Sequence, residues 1–141
     1  MAYDQNNIFA KILRGEAPSF KVYEDDMTLA FMDVMPQVEG HTLVIPKFPA
    51  EDLFDLDPEF ALAMAKTTKK LAPAVKRAFN SPGIMIMQLN GSAAGQTIFH
   101  IHTHILPRSE GIDMKLHARQ LGDFDLLKKQ AELIKAELAK D

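Results

Sequence analysis

Apolar and polar residues recur along the chain with two different periods. Near the start, Ile8, Phe9, Ile12 and Leu13 fall at helical spacing behind Asn7, a residue suited to capping a helix N-terminus, and Gly15 and Pro18 end the run. Two strand-like stretches follow, Phe20 to Glu24 and Thr28 to Asp33, with Asp25-Asp26 between them as a hairpin turn and Pro36 beyond. Thr42 to Ile45, β-branched and apolar between Gly40 and Pro46, predicts a buried strand. Helical spacing returns from Pro58 to Phe79, where Phe60, Met64, Leu71 and Val75 share a face and Pro73 predicts a kink or a break. After the turn Asn80-Ser-Pro-Gly, Ile84 to Leu89 and Ile98 to Leu106 read as paired strands around the loop Asn90-Gly-Ser-Ala-Ala-Gly-Gln. Asp123 opens an amphipathic helix carrying Leu126, Leu127, Leu133, Ile134 and Leu138.

Helices mixed with hairpin-like strands define an α+β fold, an antiparallel sheet with helices packed on it. The length, 141 residues, suits one compact domain, and no repeat, low-complexity tract or linker divides it, so residues 1–141 are expected to form a single domain.

Composition narrows the function. Hydrophobic residues make up 47% and charged residues 25%, as in folded globular proteins. A net charge of -3 and the lack of a basic run interleaved with aromatics argue against a nucleic-acid polymer as partner, so any phosphate recognition must be local. Without cysteine, disulfides, thiolate metal ligands and a cysteine nucleophile are excluded. The first residues lack a secretory pattern and no apolar run reaches the ~18 residues of a membrane span, so a cytoplasmic protein without a membrane partner is expected.

Three of the five histidines lie in Phe99-His100-Ile101-His102-Thr103-His104-Ile105-Leu106. In a strand His100, His102 and His104 share one face, and Phe99, Ile101, Thr103 and Ile105 pack from the other. A lone histidine is most often structural, but three on one face would each need partners for both ring nitrogens. A metal site is the competing reading. Outer residues four apart on a strand have Cα atoms about 13 Å apart, so an ion would take two of the three with a distant ligand such as His41, His117 or a carboxylate. The third reading is covalent catalysis, because neutral imidazole is nucleophilic near pH 7 and flanking donors stabilise charge on phosphoryl oxygens. His102, with a histidine about 6.7 Å away on either side, is then the nucleophile. Gly91, Gly95, Gln96 and Thr97 in the preceding loop suit close approach to a phosphate, although an ordinary hairpin turn accounts for that loop equally well.

The segment His100-Ile101-His102-Thr103-His104-Ile105-Leu106 resembles the motif of the histidine-triad (HIT) family, His-φ-His-φ-His-φ-φ, with Thr103 in an apolar slot as one departure. Similarity continues through Asn7-Ile-Phe-Ala-Lys-Ile, Phe31-Met-Asp-Val, His41-Thr-Leu-Val-Ile-Pro-Lys, Ala94-Gly-Gln-Thr and Leu106-Pro-Arg. The resemblance implies a five-stranded antiparallel sheet with packed helices and a homodimer whose sheet has ten strands. It also implies a nucleoside pocket of Ile8, Phe9, Ile12, Phe31 and Val34, with Asp33 on the ribose hydroxyls. Ordinary core is the alternative for the apolar members, and a solvated turn for Asp33.

By the same resemblance His41 lies near the nucleophile, His104 donates to a phosphate oxygen, Gln96 and Thr97 sit near the leaving group, and Asn90 or Leu89 fills the loop-end position. His117 maps onto no role and reads as a surface residue. Some bacterial relatives hold structural zinc with two cysteines, a further histidine and the first triad histidine. The corresponding positions here are Asn7, Ala10 and Pro49, leaving His100 alone, so no metal and no cofactor are expected. The resulting expectation is a hydrolase or transferase cleaving at the α-phosphate of a nucleoside phosphoramidate or (di)nucleoside polyphosphate, preferably purine, through a nucleotidyl-His102 intermediate. A metal-dependent hydrolase using two triad histidines, or a non-catalytic nucleotide-binding module, are the alternatives.

Overall fold

The computed structural model describes residues 2–114 and 120–141. His117 lies outside them. The chain forms α1 (Ile8–Leu13), β1 (Lys21–Glu24), β2 (Thr28–Met32), β3 (Thr42–Pro46), α2 (Pro58–Ala78), β4 (Gly83–Gln88), β5 (Thr103–Arg108) and α3 (Phe124–Leu138). The five strands make one antiparallel sheet in the order β1-β2-β3-β5-β4, an α+β architecture.

Local chemistry sets the element ends. The Asn7 side chain accepts the Ala10 amide proton at the start of α1, and Asp57 and Asp123 cap α2 and α3 in the same way. In the β1–β2 hairpin the Asp25 carboxylate accepts from the amides of Met27 and Thr28, which fixes the turn.

Both faces of the sheet's middle are covered, so every residue of β2 and β3 is buried. Alternation divides them. Ala30, Met32, Val44 and Ile105 pack against Leu71, Ala74 and Val75 of α2 and Leu127, Ala131 and Ile134 of α3. Leu29, Phe31, Leu43 and Ile45 point to the opposite face, where Phe9 of α1 covers them.

Three expectations need correction. Helix α2 runs through Pro73 without a break. Its neighbours Leu71, Ala74 and Val75 are fully buried on the sheet, and that packing outweighs the roughly 3 kcal/mol a helical proline costs. On α3, Leu126 and Leu133 are exposed, because the buried face is Leu127, Gln130, Ala131 and Ile134. Most consequential, β5 begins at Thr103 rather than Ile98. Pro46, the end of β3, has no N–H to continue the ladder, and the Ile101 amide instead donates to the Ala50 carbonyl at 3.0 Å. Residues 98–102 therefore leave the sheet, carrying His100 and His102 with them.

Candidate active site

The strand period of two carries polar side chains onto the α1 face at the ends of the central strands. Phe31 faces α1, and Asp33 follows two residues later; Leu43 faces α1, and His41 precedes it by two. The Asp33 amide donates to the His41 carbonyl at 2.9 Å, which extends the β2–β3 pairing and sets the two residues side by side. His104 is the register partner of Leu43 on one side and Met87 on the other. Asp33, His41 and His104 thus converge from three strands.

Hydrogen bonds determine how each imidazole is protonated. The Gln37 amide donates to His41 Nδ1 at 3.1 Å, so the His41 proton lies on Nε2. That proton goes to His104 Nδ1 at 2.8 Å, which leaves the His104 proton on Nε2. His104 Nε2 is buried and meets no partner. His102 Nδ1–H donates to the His100 carbonyl at 2.7 Å, so its Nε2 keeps a free lone pair. The His102 and His104 rings lie 4.8 Å apart between centroids. A nucleophilic nitrogen therefore stands beside a protonated, unpartnered one.

His100 behaves differently. Its Nε2–H donates to the Pro46 carbonyl at 2.9 Å and its Nδ1 accepts from the Tyr3 hydroxyl. Both ring nitrogens of His100 are therefore occupied.

Burial keeps these histidines neutral by penalising the charged ring. It brings His41 and His100 down to about 4 and His104 to about 3, with the neighbouring His102 adding to the effect in each case. Burial also lowers His102, opposed by its bond to the His100 carbonyl. Asp33 moves the other way, raised by burial to about 6 against the Met35 amide that its carboxylate accepts.

A cavity of about 860 Å³ opens over this face. Of the nucleotide-site residues expected from sequence, Ile8, Phe9, Ile12, Phe31, Asp33, Val34, Gly95, Gln96 and Thr97 line it, together with His102 and His104. His41 is fully buried behind His104, and His100 does not border the cavity. Asn90 does not border it either: its Oδ1 accepts from the Leu53 amide at 2.8 Å and its Nδ2 donates to Gln88 Oε1 at 3.0 Å. Gln96 is committed too, accepting from the Gly91 amide and donating to the carbonyls of Glu51 and Ile98. Its bonds fold the loop, whose Gly91 and Gly95 have φ of 94° and 100° that other residues rarely adopt. Of the two residues weighed for the loop-end position it is Leu89 that lines the cavity; sequence reasoning missed Leu43, Met87 and Ile98, which complete the apolar wall with it, and Tyr3.

The described residues include one group of three side chains placed to hold a metal, Asp33, His41 and His104, with ligand atoms within 4.8 Å of one another. It takes one triad histidine rather than two. His41 Nε2 and His104 Nδ1 already share a proton at 2.8 Å, whereas ligand nitrogens of tetrahedral zinc sit about 3.4 Å apart. The other potential zinc position, around His100, also fits poorly, since Asn7, Ala10 and Pro49 supply no ligand of the usual type and both His100 nitrogens are bonded.

A row of three histidines on a five-stranded sheet, two of them bordering an apolar cavity, defines a histidine-triad protein. Residues 14–111 match the HIT domain family, and the chain belongs to it. It is 35% identical to an adenosine 5'-monophosphoramidase of Candida albicans over 99% of this chain and 96% of that one. It is 43% identical to an adenylylsulfatase of Arabidopsis thaliana, over 73% of this chain and 52% of the relative. Among solved structures, a Hit-like protein involved in cell-cycle regulation from Bartonella henselae has a TM-score of 0.90 at 48% identity, covering 96% of this chain and 99% of that one. A zinc-bound histidine triad family protein from Mycobacterium smegmatis has a TM-score of 0.84 at 37% identity, covering 96% and 95%.

Proposed function

We propose that the protein hydrolyses nucleoside phosphoramidates, or related nucleotides with a leaving group on the α-phosphate, through a nucleotidyl-His102 intermediate. The single observation that carries this reading is the protonation pattern: His102 presents an unprotonated Nε2 while His104 presents an unpartnered Nε2–H beside it. The relatives named for adenosine phosphoramidate and adenylyl sulfate hydrolysis support the same class of bond.

In the first step the His102 Nε2 lone pair forms a bond to the α-phosphorus, and the bond to the leaving nitrogen breaks as that nitrogen takes a proton from solvent. The proton stays on His102 Nδ1, donated to the His100 carbonyl, so the nucleotidylated ring is an imidazolium and a good leaving group. His104 Nε2–H donates to a non-bridging oxygen as charge grows there. Water then attacks phosphorus, the N–P bond breaks, and a nucleoside monophosphate leaves. Ile8, Phe9, Ile12, Phe31 and Val34 supply an apolar slot for a purine base, and Asp33 accepts from the ribose hydroxyls.

Quenching the protein during turnover of adenosine 5'-phosphoramidate and mapping adducts by mass spectrometry tests this. A nucleotidyl group on the peptide containing His102 is expected. Turnover with no adduct, or an adduct on another histidine, would overturn the mechanism.

A further inference from the structure

His100 borders no part of the cavity, yet its ring and its carbonyl are both fixed. The Tyr3 hydroxyl donates to Nδ1 at 2.5 Å, Nε2–H donates to the Pro46 carbonyl at 2.9 Å, and the His100 carbonyl accepts from Nδ1–H of His102 at 2.7 Å. The Tyr3 and His100 rings meet edge to face with centroids 5.6 Å apart, and Phe9 stands edge-on to His102 at 5.0 Å. Tyr3 belongs to no helix or strand; it reaches His100 from the segment ahead of the Asn7 cap.

We propose that Tyr3 is a positioning residue of the active site, whose hydroxyl donates to Nδ1 of the buried His100 ring and thereby holds that ring and the carbonyl that orients His102. This rests on His102 being the nucleophile. The Pro46 carbonyl, an acceptor only, fixes the ring proton on Nε2 and leaves Nδ1 in need of a donor. His100 is 1% exposed, so without Tyr3 its Nδ1 lone pair is a buried acceptor with no partner. Tilting or turning the ring relieves that, and the backbone that carries the His100 carbonyl moves with it. Burial raises the Tyr3 phenol, which keeps the donated proton in place.

Tyr3→Phe removes the hydroxyl and retains the ring contact. With adenosine 5'-phosphoramidate, kcat is expected to fall about 10- to 100-fold, the effect of leaving one buried acceptor unpaired, while KM stays within about twofold because the cavity is untouched. Nitrogen-15 shifts of the His100 ring should show the Nε2–H tautomer in the unmodified protein, and the Nδ1 resonance should move in Tyr3→Phe as its hydrogen bond is lost. In a His100→Asn background the same substitution should add no further loss. Unchanged kcat in Tyr3→Phe, an Nδ1–H tautomer in the unmodified protein, or an equal loss in the His100→Asn background would each overturn the proposal. The ring shifts read the contact in the resting protein, whereas a missing adduct on His102 faults the underlying mechanism, so the two failures are separate observations.

Discussion

His41 and His104 share one proton across 2.8 Å, and the direction of that bond is set by a backbone amide on the far side of His41. Because Gln37 N–H occupies His41 Nδ1, His41 has to donate, and His104 has to carry its own proton on Nε2, a buried atom without a partner on a ring that borders the cavity. Three polar groups in series thus convert a backbone donor into an unpartnered side-chain donor.

The series predicts how variants rank. His102→Ala removes the covalent route and should abolish turnover, whereas His104→Ala should lower kcat about 10²- to 10³-fold by removing one donor. His41→Ala frees His104 Nδ1 to take the proton, which turns Nε2 into an acceptor, so its loss should approach that of His104→Ala. The double variant His41→Ala/His104→Ala should be no worse than His104→Ala alone. Steady-state release of AMP, with circular dichroism to confirm folding, measures all four. Additive losses would mean that His41 acts on something other than His104.

Asp33 predicts a pH dependence of nucleoside affinity. Its carboxyl is raised to about 6 by burial, so above that pH it is ionised and, in the ribose role proposed for it, able to accept from both hydroxyls, a capacity it loses as pH falls through 6. Affinity for adenosine should fall by up to about tenfold per pH unit below 6. Adenosine is the suitable probe because a phosphate monoester titrates in the same range. Calorimetry showing constant affinity from pH 7.5 to 5, or equal affinity in Asp33→Asn, would separate Asp33 from ribose recognition.

Much of this was legible in the chain, for identifiable reasons. Short helices and hairpins are specified locally: Asn7 caps α1, Asp25 closes β1–β2, and Asp123 starts α3, each with its own side chain. The period of two also holds the information that Asp33 and His41 share the face of Phe31 and Leu43. What failed was extending that period through the triad. Whether the ladder reaches His100 depends on Pro46, more than fifty residues away, which offers a carbonyl to the His100 ring and no N–H to its backbone. Asn90, expected at the nucleotide from the resemblance, instead binds the Leu53 amide and Gln88, and Gln96, which does line the cavity, has its amide bonded to Gly91, Glu51 and Ile98. Tyr3 gave no signal at all, since a lone tyrosine ahead of a helix cap has neither period nor motif.

The metal question has a direct test. Among the described residues His41 and His104 are bonded to each other and both His100 nitrogens are bonded, and of the remaining neighbours, His102 Nε2 and His104 Nε2, only His102 offers a free lone pair. Activity should therefore persist in EDTA, and elemental analysis of the purified protein should show well under one zinc per chain. Activity lost in chelator and restored by a divalent ion would favour the metal-dependent alternative, with Asp33, His41 and His104 as its ligands.

Quaternary structure is the remaining expectation, and β4 is where it should be decided. β4 is an end strand of the sheet, and Met85 and Ile86 on it are exposed. An open apolar edge is an aggregation hazard unless something covers it, and a second copy of the chain extending the sheet to ten strands would do so. Sedimentation at micromolar concentration should therefore give a dimer. Ile86→Lys places a charge on that edge and should yield the monomer, because burying an unpaired ammonium opposes association. The same strand backs the active site: Met87 is the register partner of His104, and Met87 and Leu89 line the cavity. A monomeric Ile86→Lys protein should accordingly bind adenosine more weakly than the dimer. A monomer in the unmodified protein with full activity would show that β4 needs no partner.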